Sequence, residues 1–261
     1  MKRTQVFPDL NAFPVVFHPL LKGAPLYDSS CSPEARVTFI DRDGGYYLKK
    51  SSKGTLQNEA AMTSYFHGKG LGAEVLNYVS EDSDGLLTAC VRGEDCTHPT
   101  YLGDPKRLCD TLAVLLRSLH ECDTSSCPIP DHTERYFATA ERNYRAGIFD
   151  PSYLPDEMRG MTADEAWRVA TEAKVSFRAD TLLHGDYCLP NVMLDDWSLS
   201  GFIDLGNGGV GDRHVDLFWG AWTLCFNLKT DRYRQRFFDA YGRECINPDL
   251  LLAIGACEAF G

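Results

Sequence analysis

The chemistry-bearing residues of this chain concentrate in one stretch. His184-Gly185-Asp186-Tyr187-Cys188-Leu189-Pro190-Asn191 is followed, thirteen residues after Asn191, by Asp204 in Ile203-Asp204-Leu205-Gly206. Carboxylate and amide oxygens at loop edges suit a hard cation such as Mg²⁺, which prefers oxygen ligands and keeps part of its water. In that pattern Asp186 would orient a substrate hydroxyl and accept its proton, while Asn191 and Asp204 would hold metal bridging nucleotide phosphates. This is the division of labour in phosphoryl transfer, where positioning and charge neutralisation supply most of the catalysis. Two other readings stand beside it. Asp186 and Asp204 would serve as turn carboxylates capping nearby backbone, or the segment would belong to a metal-dependent hydrolase, which calls for a denser His/Asp cluster than His184 and Asp186 supply.

The elements that must position these residues follow from periodicity. Val37–Ile40 and Tyr46–Lys49 are β-prone runs flanking Asp41-Arg42-Asp43-Gly44-Gly45, a hairpin signal. Thr55 to Phe66 reads as a helix with a threonine cap. Leu76–Val79 and Leu86–Val91 read as strands joined by the turn 81–85. From about Pro105 the period becomes helical, with Leu108, Leu112, Leu115, Leu116 and Leu119 forming one stripe. Further helices are expected near 131–146, 162–176, 213–227, 230–242 and 248–259. His120 reads as a packed helix-end histidine, and Trp219 and Trp222 as core.

The runs HGDYCLPNVML and SGFIDLGNGGVGDRHVDL resemble the aminoglycoside 3′-phosphotransferases, a family of protein-kinase-like small-molecule kinases, with similarity from about Leu26 to Phe260. The resemblance implies an α+β, bilobal protein-kinase-like fold with a small antiparallel-sheet lobe and a larger, mainly helical lobe. The expected division is a nucleotide-binding part, residues 1–92, and a catalytic and acceptor-binding part, residues 93–261. Asp186 is then the catalytic base, and Asn191 and Asp204 are metal ligands. Lys49 looks like the family's phosphate-holding lysine, with Glu59 on the following helix as its ion-pair partner. Tyr47, two residues before Lys49, shares its face, so its ring would lie against an adenine while Lys50 points away. Ser29 and Ser30 lie in a serine-bearing stretch, 27–33, where a phosphate loop is expected. Thr88–Val91 would form the hinge, with the Ala89 and Val91 backbone bonding the base. Asp216 resembles an internal aspartate that braces the catalytic loop.

For the acceptor end the resemblance implies Asp156, Glu157, Glu258 and Phe260 as substrate-binding residues. Asn207 stands where the family usually has Arg, Phe226 and Asn227 where an acidic pair is common, and Tyr153 and Pro155 where carboxylates are expected. Gly261 follows the terminal Phe. The implied activity is Mg²⁺-dependent transfer of the γ-phosphate of ATP or GTP to a hydroxyl of a small cationic acceptor, with aminoglycoside 3′-O-phosphorylation (antibiotic resistance) the leading case. A related kinase acting on another amino sugar, amino alcohol or metabolite, and a non-catalytic nucleotide-binding protein, are the alternatives.

Composition bounds the partners. The 261 residues carry 26 Lys and Arg against 37 Asp and Glu, a net charge of −11. Residues 1–50 hold seven basic and five acidic side chains, so the acid lies in the remainder. That balance argues against nucleic acid as a partner and is compatible with a cationic one. No apolar run approaches the roughly 20 residues of a membrane span, and Pro8, Asp9, Pro14 and Pro19 interrupt any signal-like core. Ten cysteines without a Cys-x-x-Cys pair read as buried thiols of a cytoplasmic protein. A monomer or weak dimer is expected.

Overall fold

The computed structural model describes residues 3–31, 33 and 35–261. Its elements begin with β1 (Thr4–Val6), α1 (His18–Leu21), β2 (Leu26–Asp28), β3 (Arg36–Ile40), β4 (Tyr46–Ser52), α2 (Gln57–Gly68), β5 (Val75–Ser80), β6 (Ser83–Ala89) and β7 (Glu94–Asp95). There follow α3 (Pro99–Leu102), α4 (Pro105–His120), α5 (His132–Arg145), α6 (Ala163–Ala173), β8 (Thr181–Leu183), β9 (Val192–Asp195), β10 (Ser198–Phe202), β11 (Gly209–Gly211), α7 (His214–Leu228), α8 (Arg234–Tyr241) and α9 (Pro248–Glu258). Backbone contacts divide the chain into two compact units. One runs to His98 and takes back Pro190–Asn207; the other holds Pro99–Leu189 and Gly208–Gly261. The sequence reading places a single division after residue 92, whereas segment 190–207 rejoins the first unit because β9 pairs with both β7 and β10.

The first unit is built on an antiparallel sheet of order β1-β2-β3-β4-β6-β5. Alternation along β4 sorts its side chains. Leu48 packs with Phe17, Leu21, Leu26, Ile40 and Leu87 on one face, and Lys50, on that same side, donates to the Ala12 carbonyl. Tyr47 and Lys49 point to the other face. Helix α2 lies under that face, where Ala60 and the preceding Leu56 cluster with Leu86 of β6.

Two local expectations change. Thr55 does not cap α2: its hydroxyl donates to the Ser52 carbonyl, and the cap residue Leu56 makes no side-chain cap bond. The fully buried Asp84 carboxylate instead accepts from the Gly54 and Leu56 backbone N–H groups, each at 2.8 Å. The turn before β6 is correspondingly shorter than the expected 81–85, since Ser83 and Asp84 already pair with β4. The β9–β10 hairpin turns at Asp196 and Trp197, both at positive φ (46° and 66°), as a two-residue turn of the primed class requires.

In the second unit α4 buries Leu108, Leu112, Leu116 and Leu119, the stripe legible in the sequence. Helix α6 starts with a reciprocal Thr162–Glu165 capping box. Helices α5, α6 and α9 share a core of Phe137, Ala166, Ala170, Ala256 and Phe260. Among the described residues no disulfide joins any of the ten cysteines, but only Cys96, Cys109, Cys127 and Cys257 are buried. Cys31 is exposed and the rest are half-buried, so the expectation of buried thiols holds in part. Among the described residues no helix is long and apolar enough to cross a membrane.

Candidate active site

Within the first unit a cavity of about 360 Å³ is lined by Ser29, Tyr47, Lys49, Glu59, Ala89, Val91, Met193 and Asp204, among others. Strand β4 delivers Tyr47 and Lys49 to it, α2 delivers Glu59 and β6 runs out into Ala89. Asp204 arrives from 155 residues away in sequence. The Lys49 ammonium donates to both Glu59 carboxylate oxygens at 2.9 Å and to Asp204 Oδ1 at 3.0 Å. Burial works against the charge on Lys49, but the Asp204 and Glu59 carboxylates outweigh it and raise its pKa. Glu59 is pushed up by its own burial against the pull of Lys49. Lys49 is thus a fixed cation at the floor of a cavity, with the chemistry to hold phosphate oxygens.

Asp204 has a left-handed backbone, φ 57°, which is rare outside glycine. It follows Ile203, whose N–H donates to the Asn191 carbonyl at 3.1 Å, so the backbone ties the two expected metal ligands together. Among the described residues no group of three His, Cys, Asp or Glu side chains forms a metal site. One amide and one carboxylate are hard oxygen donors that fit Mg²⁺, an ion that completes its shell with water and phosphate rather than a protein cage.

The nucleotide-side expectations meet the geometry unevenly. Ser29 is buried and lines the cavity. Ser30 spends its hydroxyl accepting from the Val37 N–H at 2.9 Å, and its own N–H donates to Asp28. It closes the β2–β3 connection, because that is where the pairing of the two strands needs a polar partner. Ser32 of the same stretch lies outside the described residues. Ala89, Cys90 and Val91 line the cavity as the strand ends. Missed by sequence reasoning were Arg3, Glu94, Met193 and Ile203, which also line it. Met193 and Ile203 sit in short continuous apolar runs, Val192–Leu194 and Phe202-Ile203, indistinguishable in sequence from core.

Asp186 belongs to the second unit, half-buried in the loop after β8. That loop is anchored by Asp216, fully buried on α7, whose carboxylate accepts from the backbone N–H groups of His184 and Gly185, each at 2.8 Å. His120 Nε2 lies 3.1 Å from the same carboxylate, and its Nδ1 lies 2.8 Å from Tyr241 Oη. His120 is therefore a packed, bonded helix-end residue, as expected. Burial disfavours the Asp216 charge, but the bonds from His120 and the His184 backbone outweigh it and hold its pKa below the ordinary value. At the other end of the loop, the Leu189 N–H donates to Thr223 Oγ1 at 3.1 Å.

Glu258 accepts from Tyr136 Oη at 2.8 Å and from Trp219 Nε1 at 3.0 Å. Its carboxyl is pushed up to about 7, chiefly by burial, with the nearby Asp186 charge adding to it against the two hydrogen bonds. Trp219 and Trp222 are half-buried rather than core. They form an aromatic run with Tyr153 and with Phe226, whose ring stacks on Trp222 at 5.0 Å and is 55% exposed. Sequence could not expose this, because an α7 that is apolar nearly all round gives no amphipathic sign of which face is open.

Two acceptor-side expectations fare differently. Asp156 and Glu157 are exposed on the short turn 156–158, whose Met158 is buried, and Asp156 pairs with Arg159. Phe260 is fully buried against Tyr144, Phe149 and Trp167. That packing places its ring in the core rather than at an open surface. The reason is the small-residue surface of α6, Ala166 and Ala170, into which the ring packs.

The sequence profile of the phosphotransferase enzyme family matches residues 32–252. A probable aminoglycoside 3′-phosphotransferase of Lactococcus lactis subsp. lactis (strain IL1403) is 51% identical over 254 residues, covering 97% of both chains. An aminoglycoside 3′-phosphotransferase of Niallia circulans is 32% identical over 197 residues, covering 75% of this chain and 74% of its own. Among solved structures, the aminoglycoside phosphotransferase APH(3'')-Id of Streptomyces rimosus, in complex with ADP and streptomycin, superposes with a TM-score of 0.78. It is 23% identical, and the match covers 97% of this chain and 99% of that one. A type VIII aminoglycoside-3'-phosphotransferase gives a TM-score of 0.74 at 24% identity, with 96% of each chain covered. The fold is thus the protein-kinase-like α+β fold of these enzymes.

Proposed function

Because this chain belongs to the phosphotransferase enzyme family and is a phosphotransferase acting on hydroxyl groups, we propose that it moves the γ-phosphate of ATP or GTP to a hydroxyl of a small cationic acceptor. The 3′-hydroxyl of an aminoglycoside is the leading acceptor. The observation that carries this reading is the Lys49 ammonium held between Glu59 and Asp204 in the cavity that Tyr47 and the 89–91 strand end also line.

In this reading the first unit is the nucleotide-binding part. Tyr47 offers a ring to the base, the Ala89 and Val91 backbone bonds its edge, and the Ser29 segment and Lys49 hold the phosphates. Glu59 keeps the ammonium in place. Asn191 and Asp204 would hold Mg²⁺, which when bound would neutralise the phosphate charge and orient the transferring group. The second unit carries catalysis and acceptor binding. Asp186 aligns the acceptor hydroxyl and takes its proton as the new P–O bond forms and the bond from the γ-phosphorus to the departing nucleoside diphosphate breaks, and the chain that holds it runs directly into Asn191. Asp216 fixes the loop backbone, so Asp186 arrives pre-positioned. Glu258 supplies the negative charge for an acceptor ammonium, and Asp156 and Glu157 lie outside that cluster as exposed charge. The protein works in the cytoplasm, where nucleotide and Mg²⁺ are at hand.

The aromatic run of Tyr153, Trp219, Trp222 and Phe226, in which Tyr153 and Phe226 stand where the resembled family has carboxylates, supports a second acceptor class: amino sugars or amino alcohols with fewer ammonium groups than a typical aminoglycoside. A coupled nucleotide-consumption assay over aminoglycosides and amino alcohols decides between them. Mg²⁺-dependent consumption only in the presence of an acceptor is expected. Asp186→Asn should lower kcat about 10²–10⁴-fold, the usual range for a general base, while nucleotide binding by calorimetry stays within twofold. Near-normal turnover in that variant would overturn the base assignment. Absence of protection of a sensitive bacterium against every 3′-hydroxyl drug would remove the aminoglycoside.

A further inference from the structure

Arg3 lies before the part of the chain that the family profile covers, residues 32–252, and the sequence reading assigns it nothing. The structure gives it a defined place. Strand β1 adds itself to the edge of the sheet against β2, with Thr4 opposite Asp28, Gln5 opposite Tyr27 and Val6 opposite Leu26. That pairing fixes the backbone at Thr4 and carries the preceding residue over the aromatic pair on β3 and β4. Phe39 and Tyr47 are register partners with ring centroids 5.1 Å apart. The Arg3 guanidinium carbon stands 3.5 Å from the Phe39 ring centroid and 5.7 Å from that of Tyr47. Its Nη2 donates to Tyr47 Oη at 2.8 Å, and Arg3 lines the same cavity as Lys49, Ala89 and Asp204.

We propose that Arg3 is a positioning residue for the nucleotide: stacked on Phe39 and bonded to the Tyr47 phenol, it holds the Tyr47 ring in the orientation in which a purine base stacks on it. The proposal rests on the reading of Tyr47 as the base-facing ring. A planar, delocalised guanidinium suits this task because it stacks on one ring while its fork bonds the next, which a lysine ammonium does not do. Tyr47 is half-buried and turns about χ1 and χ2, so an unheld ring would be ordered at the expense of nucleotide binding. Arg3 itself is solvent-exposed. Its effect is accordingly modest, and substitution at the outer end of an edge strand leaves the core intact.

The test is steady-state kinetics of the full chain with ATP and with GTP at saturating acceptor. Arg3→Ala is expected to raise the nucleotide KM roughly fivefold for both nucleotides, because stacking is indifferent to the base. The acceptor KM and kcat should stay within twofold. Arg3→Lys should fall between Arg3→Ala and wild type. Tyr47→Phe keeps the ring and removes the bonded phenol, so it should raise the nucleotide KM by a similar factor. The double variant should then be no worse than the poorer single, as expected of two groups acting through one contact. Unchanged nucleotide KM in Arg3→Ala, with Tyr47→Ala impaired, overturns the role of Arg3 and leaves Tyr47 in place. Unchanged KM in Tyr47→Ala overturns the reading of Tyr47 and the proposal with it. A rise for only one of the two nucleotides also overturns it, since that would be direct contact with the base edge. A fall in kcat matched to a loss of Tm, with KM unmoved, would mean that Arg3 only secures the edge strand.

Discussion

Neutralising Glu258 should make the protein more stable at alkaline pH and no more stable in acid. The carboxyl is raised from an ordinary 4.5 to about 7, first by burial and then by the charge of Asp186. The folded state therefore binds this proton more tightly than the unfolded chain does. Between pH 4.5 and about 7 the unfolded state has released the proton while the folded state still holds it, so folding stability falls as pH rises through that window. Above about pH 7 the loss is complete. At 1.36 kcal/mol per pH unit, the distance from 4.5 to about 7 amounts to about 3 kcal/mol. Glu258→Gln keeps the size of the side chain and an oxygen for Tyr136 and Trp219, and it does not titrate. The stability of the Glu258→Gln variant minus that of wild type should grow by about 3 kcal/mol between about pH 4 and pH 8, or roughly 6–12 °C in Tm for a chain of this size. Scanning calorimetry at both pH values measures it. A difference that is the same at the two pH values within about 1 kcal/mol would refute the argument, because Glu258 would then be ionised normally in the fold. Removing the Asp186 charge in Asp186→Asn should move the midpoint of the Glu258 transition downward, which tests the coupling independently. Function follows the same proton. A cationic acceptor stabilises the Glu258 carboxylate, so acceptor affinity should strengthen as pH rises through about 7 and lose this dependence in Glu258→Gln.

Two further substitutions separate activity from stability. Glu59→Gln leaves Asp204 as the one carboxylate on the Lys49 ammonium; losing a charge-assisted bond worth about 1.5–3 kcal/mol should lower kcat/KM for nucleotide roughly 10–150-fold. Because burial raises the Glu59 pKa, its charge is not a strong stabiliser, and Tm should shift by only a few degrees. Asp84→Ala should do the opposite. It strands the Gly54 and Leu56 N–H groups and the Tyr78 hydroxyl, costing about 3–5 kcal/mol in denaturant titration, while the kcat of the folded fraction stays near wild type.

Spacing in one dimension determined a good deal about this protein. The interval from Asp186 to Asn191 and on to Asp204 is a local property of a loop and hairpin, so the candidate catalytic segment was readable directly. Strand alternation put Tyr47 and Lys49 on one face and Lys50 on the other, and helical period marked the buried stripe of α4. What only the tertiary structure decided depends on groups distant in sequence. Lys49 meets Asp204 across 155 residues, Asp84 caps a helix some thirty residues earlier in the chain, and Asp216 ties down a loop about thirty residues before it. Burial decided two placements that residue type alone left open. Phe260 went into the core because alanines on α6 leave room for its ring, and the α7 tryptophans stayed half-open beside Glu258. Side-chain chemistry is written locally. Desolvation and hydrogen-bond partnership, which set what that chemistry does, are properties of the packed chain.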